Sequence, residues 1–455
     1  MAKAKQSWRH AFSVYTQSAV LGMIFLGFSA GLPFILVSST LSAWLADESV
    51  SLSVIGYFSL VGVAYSIKVF WAPVVDRLPL PFITRVFGRR RGWMLLSQFG
   101  IAAGLWGMSQ MPVATHLQQL AWLSVWVAFC SATQDIVIDA YRIEVVAVKF
   151  QGAMAAMYVF GYRLALLVAG AGALYIAEFI NWQIAYQVMA GLMLIGIIST
   201  LLIDEPRHDV DQFTQTIEKN VGQTFNIEPD AGPITGLLRW FADAVISPFV
   251  EFFQRNGRAG FLILALIALY KMSDIAMGVM ANPFYLDLGF TKKEIADVTK
   301  VFGFFMTILG TSLGGVFVLR YGIMRPLLLG AIIVALTNLL FAVLAVVQPN
   351  LYLLAAVVSA DNLCGGIAAS VFIAYLSSLT NSTYTATQYA LFSSLMTLPA
   401  KLIGGFSGAI VSGYGYAGFF IYASLIGIPA IILVVLVIRK KAINVDDGLK
   451  AKVAE

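Results

Sequence analysis

The sequence predicts an all-α integral membrane protein, with twelve transmembrane helices in two bundles of six and both termini cytoplasmic. Three observations predict it. Of 455 residues, 59% are hydrophobic and only 12% charged, where soluble domains run near 45–50% apolar and about 25% charged. A soluble chain of this size needs the missing charge on its surface; in a bilayer, apolar side chains face lipid instead. Apolar runs of about 20 residues, the length that crosses a hydrocarbon core, recur along the whole chain. One long polar stretch, 204–258, divides them six and six.

In lipid every backbone amide must bond internally, so these runs are helices, and they are far too long for barrel strands. They fall at 18–46, 51–75, 92–112, 117–141, 151–178, 182–203, 259–286, 292–320, 324–347, 351–380, 385–413 and 415–438. The first is too long for the core of a cleavable signal peptide and reads as an uncleaved span. Ser412-Gly413-Tyr414-Gly415 reads as a glycine-rich turn between the last two.

Orientation follows from the basic residues. With the N-terminus inside, cytoplasmic segments hold about 22 of the 29 Lys and Arg residues. The clusters are Lys3/Lys5/Arg9, Arg77/Arg85/Arg89/Arg90/Arg91, Arg320/Arg325 and Arg439/Lys440/Lys441. The outer loops carry Lys292 and Lys293, with Asp47, Glu48 and Glu178.

The polar stretch opens Asp204-Glu205-Pro206-Arg207-His208-Asp209, which cannot stay in hydrocarbon. Its second half sets Leu237, Leu238, Phe241, Val245, Phe249 and Phe252 at helical spacing, with Arg239, Asp243, Glu251 and Arg255 between them and Ser247-Pro248 interrupting. This predicts a broken amphipathic helix, lying on the inner membrane surface or packed on protein. The domains are then 1–203, a six-helix bundle; 204–258, a cytoplasmic linker; and 259–455, a second bundle with a short tail.

Several function classes fall away. The net charge of +5 is dispersed between apolar runs, so it marks no nucleic-acid surface. Cys130 and Cys364 lie inside apolar segments, which argues against a disulfide framework. There is no His-Glu-x-x-His and no Gly-x-Ser-x-Gly, so an intramembrane enzyme is not indicated, and no metal or cofactor is expected. The halves also echo each other. Ala72-Pro73-Val74-Val75-Asp76-Arg77 with Gly88-Arg89-Arg90-Arg91 follows the second span; Gly315-Val316-Phe317-Val318-Leu319-Arg320 with Gly322 and Arg325 follows the eighth. A duplicated half with a long central linker marks a transporter built from two bundles.

Asp76, Arg77 and Gly88-Arg89-Arg90 resemble the Gly-x-x-x-Asp-Arg-x-Gly-Arg-Arg signature of the major facilitator superfamily, with Ala72 in place of the first glycine and Leu78 to Phe87 inserted. Further runs resemble the AmpG-type muropeptide permeases: Ser29-Ala30-Gly31-Leu32-Pro33, Phe129 to Ala140, Gly161-Tyr162-Arg163-Leu164, Asp361-Asn362 with Gly365-Gly366, and Ala386-Thr387-Gln388-Tyr389-Ala390-Leu391. The resemblance covers about residues 18–438; it departs in the eleventh span, where Pro399-Ala400-Lys401 stands for an expected Arg after Gly. It implies a proton-coupled importer of anionic GlcNAc-anhydroMurNAc peptides from periplasm to cytoplasm of a bacterial inner membrane. That import serves peptidoglycan recycling and, in many Gram-negative bacteria, β-lactamase induction. A single chain is expected to suffice. Alternatives are a transporter of another large anionic solute, an acyl-CoA or a siderophore, and a non-transporting membrane sensor.

Ionisable residues inside spans are costly and so mark candidate sites. Asp135 and Asp139 lie four apart on one helix face, where two carboxylates in low dielectric repel, which suits a proton carrier. The alternative is a structural network with Arg142 or Arg163. Asp274 is the third proton candidate and can pair with Lys271. Lys68, Arg163, Lys271, Gln134, Asp361 and Asn362 are candidate substrate contacts, with Tyr65, Tyr162 and Tyr270 beside them; Lys300 and Lys401 are weaker ones. Asp76, Arg77, Arg89 and Arg90 are the candidate conformational latch, since an Asp at a helix end can accept from a neighbouring helix N-terminus and pair with Arg.

Overall fold

A computed structural model describes residues 13–206, 242–381, 383–404 and 406–454. Leu237, Leu238, Arg239 and Phe241 of the expected linker helix lie outside the described residues. Every regular element is helical: α1 (Ser18–Leu36), α2 (Ala72–Arg77), α3 (Arg89–Ser109), α4 (Val113–Val145), α5 (Gln151–Leu167), α6 (Trp182–Leu202), α7 (Ser247–Asn256), α8 (Ala259–Tyr270), α9 (Met272–Asp287), α10 (Gly303–Tyr321), α11 (Met324–Leu344), α12 (Leu351–Leu379), α13 (Thr385–Gly404) and α14 (Ser407–Ala454). Further short helices, among them Ser39–Asp47 and Ala173–Phe179, and turns join them.

Among the described residues, nine helical segments are long and apolar enough to cross a membrane. The other three expected spans are helical but fall short of that standard. The 51–75 run breaks into short pieces around Gly62 and Lys68, because a glycine and a half-buried cation interrupt its apolar face. The 92–112 run begins one turn early, at three arginines, and carries Ser97, Gln98 and Ser109. The 385–413 run stops at Gly404. The expected turn at 412–415 falls at Gly415, where α14 kinks between two helical stretches; its φ of 69° belongs to the left-handed region that only glycine enters cheaply.

Packing follows small residues, as lipid-embedded helices require. A Cβ on Gly161 of α5 would stand 1.8 Å from the Ile24 carbonyl oxygen of α1. A Cβ on Gly152 of α5 would stand 2.9 Å from Gly315 Cα of α10, so the two halves of the chain meet glycine on glycine. One apolar cluster, around Trp44, Met108, Leu120 and Tyr186, draws only on residues before 206. Another, around Phe284, Phe341, Phe419 and Phe420, draws only on residues after 270.

The predicted seventh span is not continuous. Lys271 ends α8 with a backbone of φ −95°, ψ 1°, and α9 starts at Met272. Membrane helices tolerate such breaks where the freed backbone lines a cavity or is covered by protein. The linker helix α7 packs on protein: Ser247, Pro248, Glu251 and Phe252 are buried, and Phe252 lies 5.4 Å from the ring of Phe392 in α13.

Candidate functional site

Between the halves lies a cavity of 470 Å³. On one side α5 contributes Tyr158, Tyr162 and Arg163. The other side is built from the α8–α9 break, α10 and α12, with Lys271, Asp274, Thr307, Asp361 and Asn362 among its residues. Lys271 Nζ donates to Asp274 Oδ2 across one turn of α9. Thr337 Oγ1 donates to Asp361 Oδ1 at 3.4 Å. Asn362 is oriented by a bond to the Val358 carbonyl at 2.9 Å and accepts from Thr307 Oγ1 at 2.9 Å. Two cations and two carboxylates thus share the cavity, with Arg163 alone supplied by the first half. Such a wall can hold a solute carrying both carboxylates and hydrogen-bonding groups.

A second charged cluster lies within the first half. Asp139 has Lys68 Nζ at 3.9 Å and Arg142 Nη2 at 3.4 Å. Asp135 stands one turn away on α4, with its Oδ1 buried and without a hydrogen-bond partner among the described residues. Tyr65 meets Phe34 edge-on at 5.3 Å, and Phe34 lies 6.5 Å from Tyr162 of the cavity wall. The sequence left open whether Arg163 or Arg142 serves these carboxylates. Arg142 touches Asp139, and Arg163 lines the cavity.

Two expected contacts are turned elsewhere. Gln134 is fully buried and accepts from Ser29 Oγ at 3.2 Å, inside the α1–α4 packing. Tyr270 donates to the Leu327 carbonyl at 3.0 Å and stacks on Phe372 at 4.3 Å, behind the wall that holds Lys271. Nothing is described of the Lys300 and Lys401 side chains.

Asp76 forms the centre of a third network. Its carboxylate accepts from Ala386 N at 3.1 Å, Thr387 N at 2.6 Å and Thr387 Oγ1 at 2.7 Å, all at the start of α13. Arg90 Nη2 donates to the same carboxylate at 2.8 Å and, with its Nε, to Glu144. Arg89 donates to the Asp76 carbonyl. Arg77 sits over the Tyr384 ring at 5.3 Å. Glu205 caps α3 by accepting from Arg90 N and Arg91 N at 2.8 and 3.0 Å. Other bonds between halves join it: Tyr15 to the Ser312 carbonyl at 2.7 Å, Arg142 to Ser377 Oγ at 3.1 Å, and Ser394 to the Ser66 carbonyl at 3.3 Å. Thr387, Glu144, Glu205 and Ser377 were missed as functional residues. The available signals were Thr387 in the Ala386–Leu391 run and Glu205 in Asp204-Glu205-Pro206, an acid just past a span and so within reach of a helix start.

Residues 19–400 match the family model of the Major Facilitator Superfamily. The chain is 38% identical over 422 residues to the anhydromuropeptide permease of Escherichia coli strain K12, covering 92% of this chain and 79% of that one. Its fold is similar to FucP, a major facilitator transporter solved in the outward conformation (TM-score 0.64, 11% identity, 92% and 97% of the two chains), and to the proton:xylose symporter XylE bound to 6-bromo-6-deoxy-D-glucose (TM-score 0.59, 13% identity, 93% and 95%). The chain is a transporter rather than an enzyme, and it is a multi-pass protein of the bacterial inner membrane. It belongs to the major facilitator superfamily.

Proposed function

We propose that this chain imports muropeptides of the GlcNAc-anhydroMurNAc class from periplasm to cytoplasm by proton-coupled alternating access. One observation carries the reading: a charged cavity between the halves, in a chain 38% identical to an anhydromuropeptide permease. Its volume of 470 Å³ falls within the range of ligand sites, roughly 300–1,000 Å³. Arg163 offers a fixed, planar cation for a substrate carboxylate. Asn362, Asp361 and Tyr162 offer partners for sugar hydroxyls and peptide amides, and Lys271 is held ready by Asp274. Lys68 and Tyr65 extend the site toward α4. Gln134 and Tyr270 support it by packing.

Protons are carried by Asp135 and Asp139, with Asp274 as a further carrier in the cavity wall. Asp76, Arg77, Arg89 and Arg90 form the latch. We take the chain as twelve spans with both termini cytoplasmic, as bundles 1–203 and 259–455 around the 204–258 linker, and as a monomer. The end bearing Asp76 and Arg89–Arg91 is then cytoplasmic. The bonds between halves gather toward that end, which supports a state closed to the cytoplasm and facing outward.

The test is uptake of labelled anhydromuropeptide by permease-deficient cells expressing this chain. Accumulation that collapses when the proton gradient is dissipated is expected. A chain that inserts in the membrane and takes up none overturns the reading.

A further inference from the structure

We propose that Arg142 is the residue through which a proton bound at the Asp135–Asp139 pair opens the closed, latch-bearing end of the transporter. The inference rests on the transport reading above and names the positioning residue that links its proton site to its gate.

Arg142 is 2% exposed and divides its guanidinium between two tasks. Nη2 reaches Asp139 Oδ1 at 3.4 Å. Nη1 donates to Gln151 Oε1 at 2.8 Å and crosses to Ser377 Oγ on α12 at 3.1 Å. The guanidinium also lies over the Tyr389 ring of α13 at 5.2 Å. Gln151 is fixed in turn, donating to the Arg142 carbonyl at 2.8 Å. One side chain therefore joins the carboxylate pair to two helices of the other half.

The groups around the pair come from four elements. Lys68 faces it from the second span, and Arg142 lies on α4 with the pair itself. Tyr65 of the second span, Tyr158 and Tyr162 of α5 and Tyr389 of α13 complete the surround of titratable groups. Two carboxylates are thus balanced by two cations. One added proton leaves one cation in excess. Lys68 is the more exposed of the two, at 12% against 2%, and can turn to whichever carboxylate stays charged. Arg142 cannot leave its site while the halves are closed. A buried cation stripped of its counter-charge is strongly destabilising. Parting of α4 from α12 and α13 admits water to the guanidinium and relieves that cost. Proton binding thus disfavours the closed end, the sign an importer needs if the proton loads from outside before the inside opens.

The experiment places spin labels at Val86 and Arg325, both exposed at the latch-bearing end, after Cys130→Ala and Cys364→Ala. Label separation is measured across pH 5–9 without substrate, so failure to transport muropeptides leaves this readout intact. The wild-type chain should shift from a short to a long separation as pH falls. Asp139→Asn, which mimics the protonated acid, should hold the long separation at every pH. Arg142→Gln should abolish the pH response, and Arg142→Lys should keep part of it. Ser377→Ala loses a bond made only in the closed state, so its transition should move to higher pH with the pH response kept; it carries the test if Arg142→Gln does not fold, and a wild-type midpoint in Ser377→Ala then overturns the proposal. A wild-type pH response in Arg142→Gln overturns the proposal. So does a separation in Asp139→Asn that stays short at pH 9.

Discussion

Thr387 donates both its backbone N–H, at 2.6 Å, and its hydroxyl, at 2.7 Å, to Asp76 Oδ2, across 311 residues of chain. The carboxylate thus caps the start of α13 from the opposite half while Arg90 holds it from behind. Removing it leaves Arg90 buried with Glu144 alone and two helix-start N–H groups unpaired. Loss of one partner of a buried charge pair costs about 3–5 kcal/mol, borne here by the closed state. Asp76→Ala should therefore slow substrate turnover at least tenfold while binding in detergent changes little. Turnover equal to the wild type in a folded Asp76→Ala protein would falsify the latch role.

Arg163 is the cavity cation that no carboxylate holds within 4 Å among the described residues, whereas Lys271 is tied to Asp274. A charge-assisted hydrogen bond contributes about 1.5–3 kcal/mol, so Arg163→Ala should weaken anhydromuropeptide binding roughly tenfold or more. Arg163→Lys keeps the charge, loses the planar fork and should fall between. Calorimetry on purified protein checks this; unchanged affinity in Arg163→Ala removes Arg163 from the substrate site.

Asp135 presents a buried carboxylate oxygen without a hydrogen-bond partner among the described residues, one turn from Asp139. Asp135→Asn keeps its shape and cannot titrate. It should abolish accumulation against a gradient while substrate counterflow persists. Concentrative uptake at the wild-type level would move the coupling site to Asp139 or, in the cavity wall, to Asp274.

The orientation is open to a direct measurement. Val86 and Glu48 are both exposed and lie at opposite ends of the expected second span. A single cysteine at Glu48 should react with an impermeant thiol reagent applied from the periplasm, and one at Val86 should not. Labelling at Val86 from that side reverses the topology.

The sequence by itself determined the medium, the helical class, the polar linker and the short list of buried charges. Hydropathy is a sum over local residues, and an ionisable group in a span is conspicuous wherever its partner lies. Asp76, Arg89 and Arg90 were legible because their spacing is local too. Which charges meet was decided only by the tertiary structure. Arg163 shares a cavity with Lys271, Asp274 and Asp361, while Arg142 binds Asp139. Gln134 and Tyr270 turn into packing, where the Gln134 side-chain oxygen accepts from Ser29 and the Tyr270 hydroxyl donates to the Leu327 carbonyl. The glycines announced the break at Gly415, but the break at Lys271 was hidden inside an apolar run, since hydropathy does not register a change of backbone angle. Partner choice in low dielectric depends on which helix faces touch. Here that is set by close approaches such as Gly161 on Ile24 and Gly152 on Gly315, contacts between segments far apart in sequence.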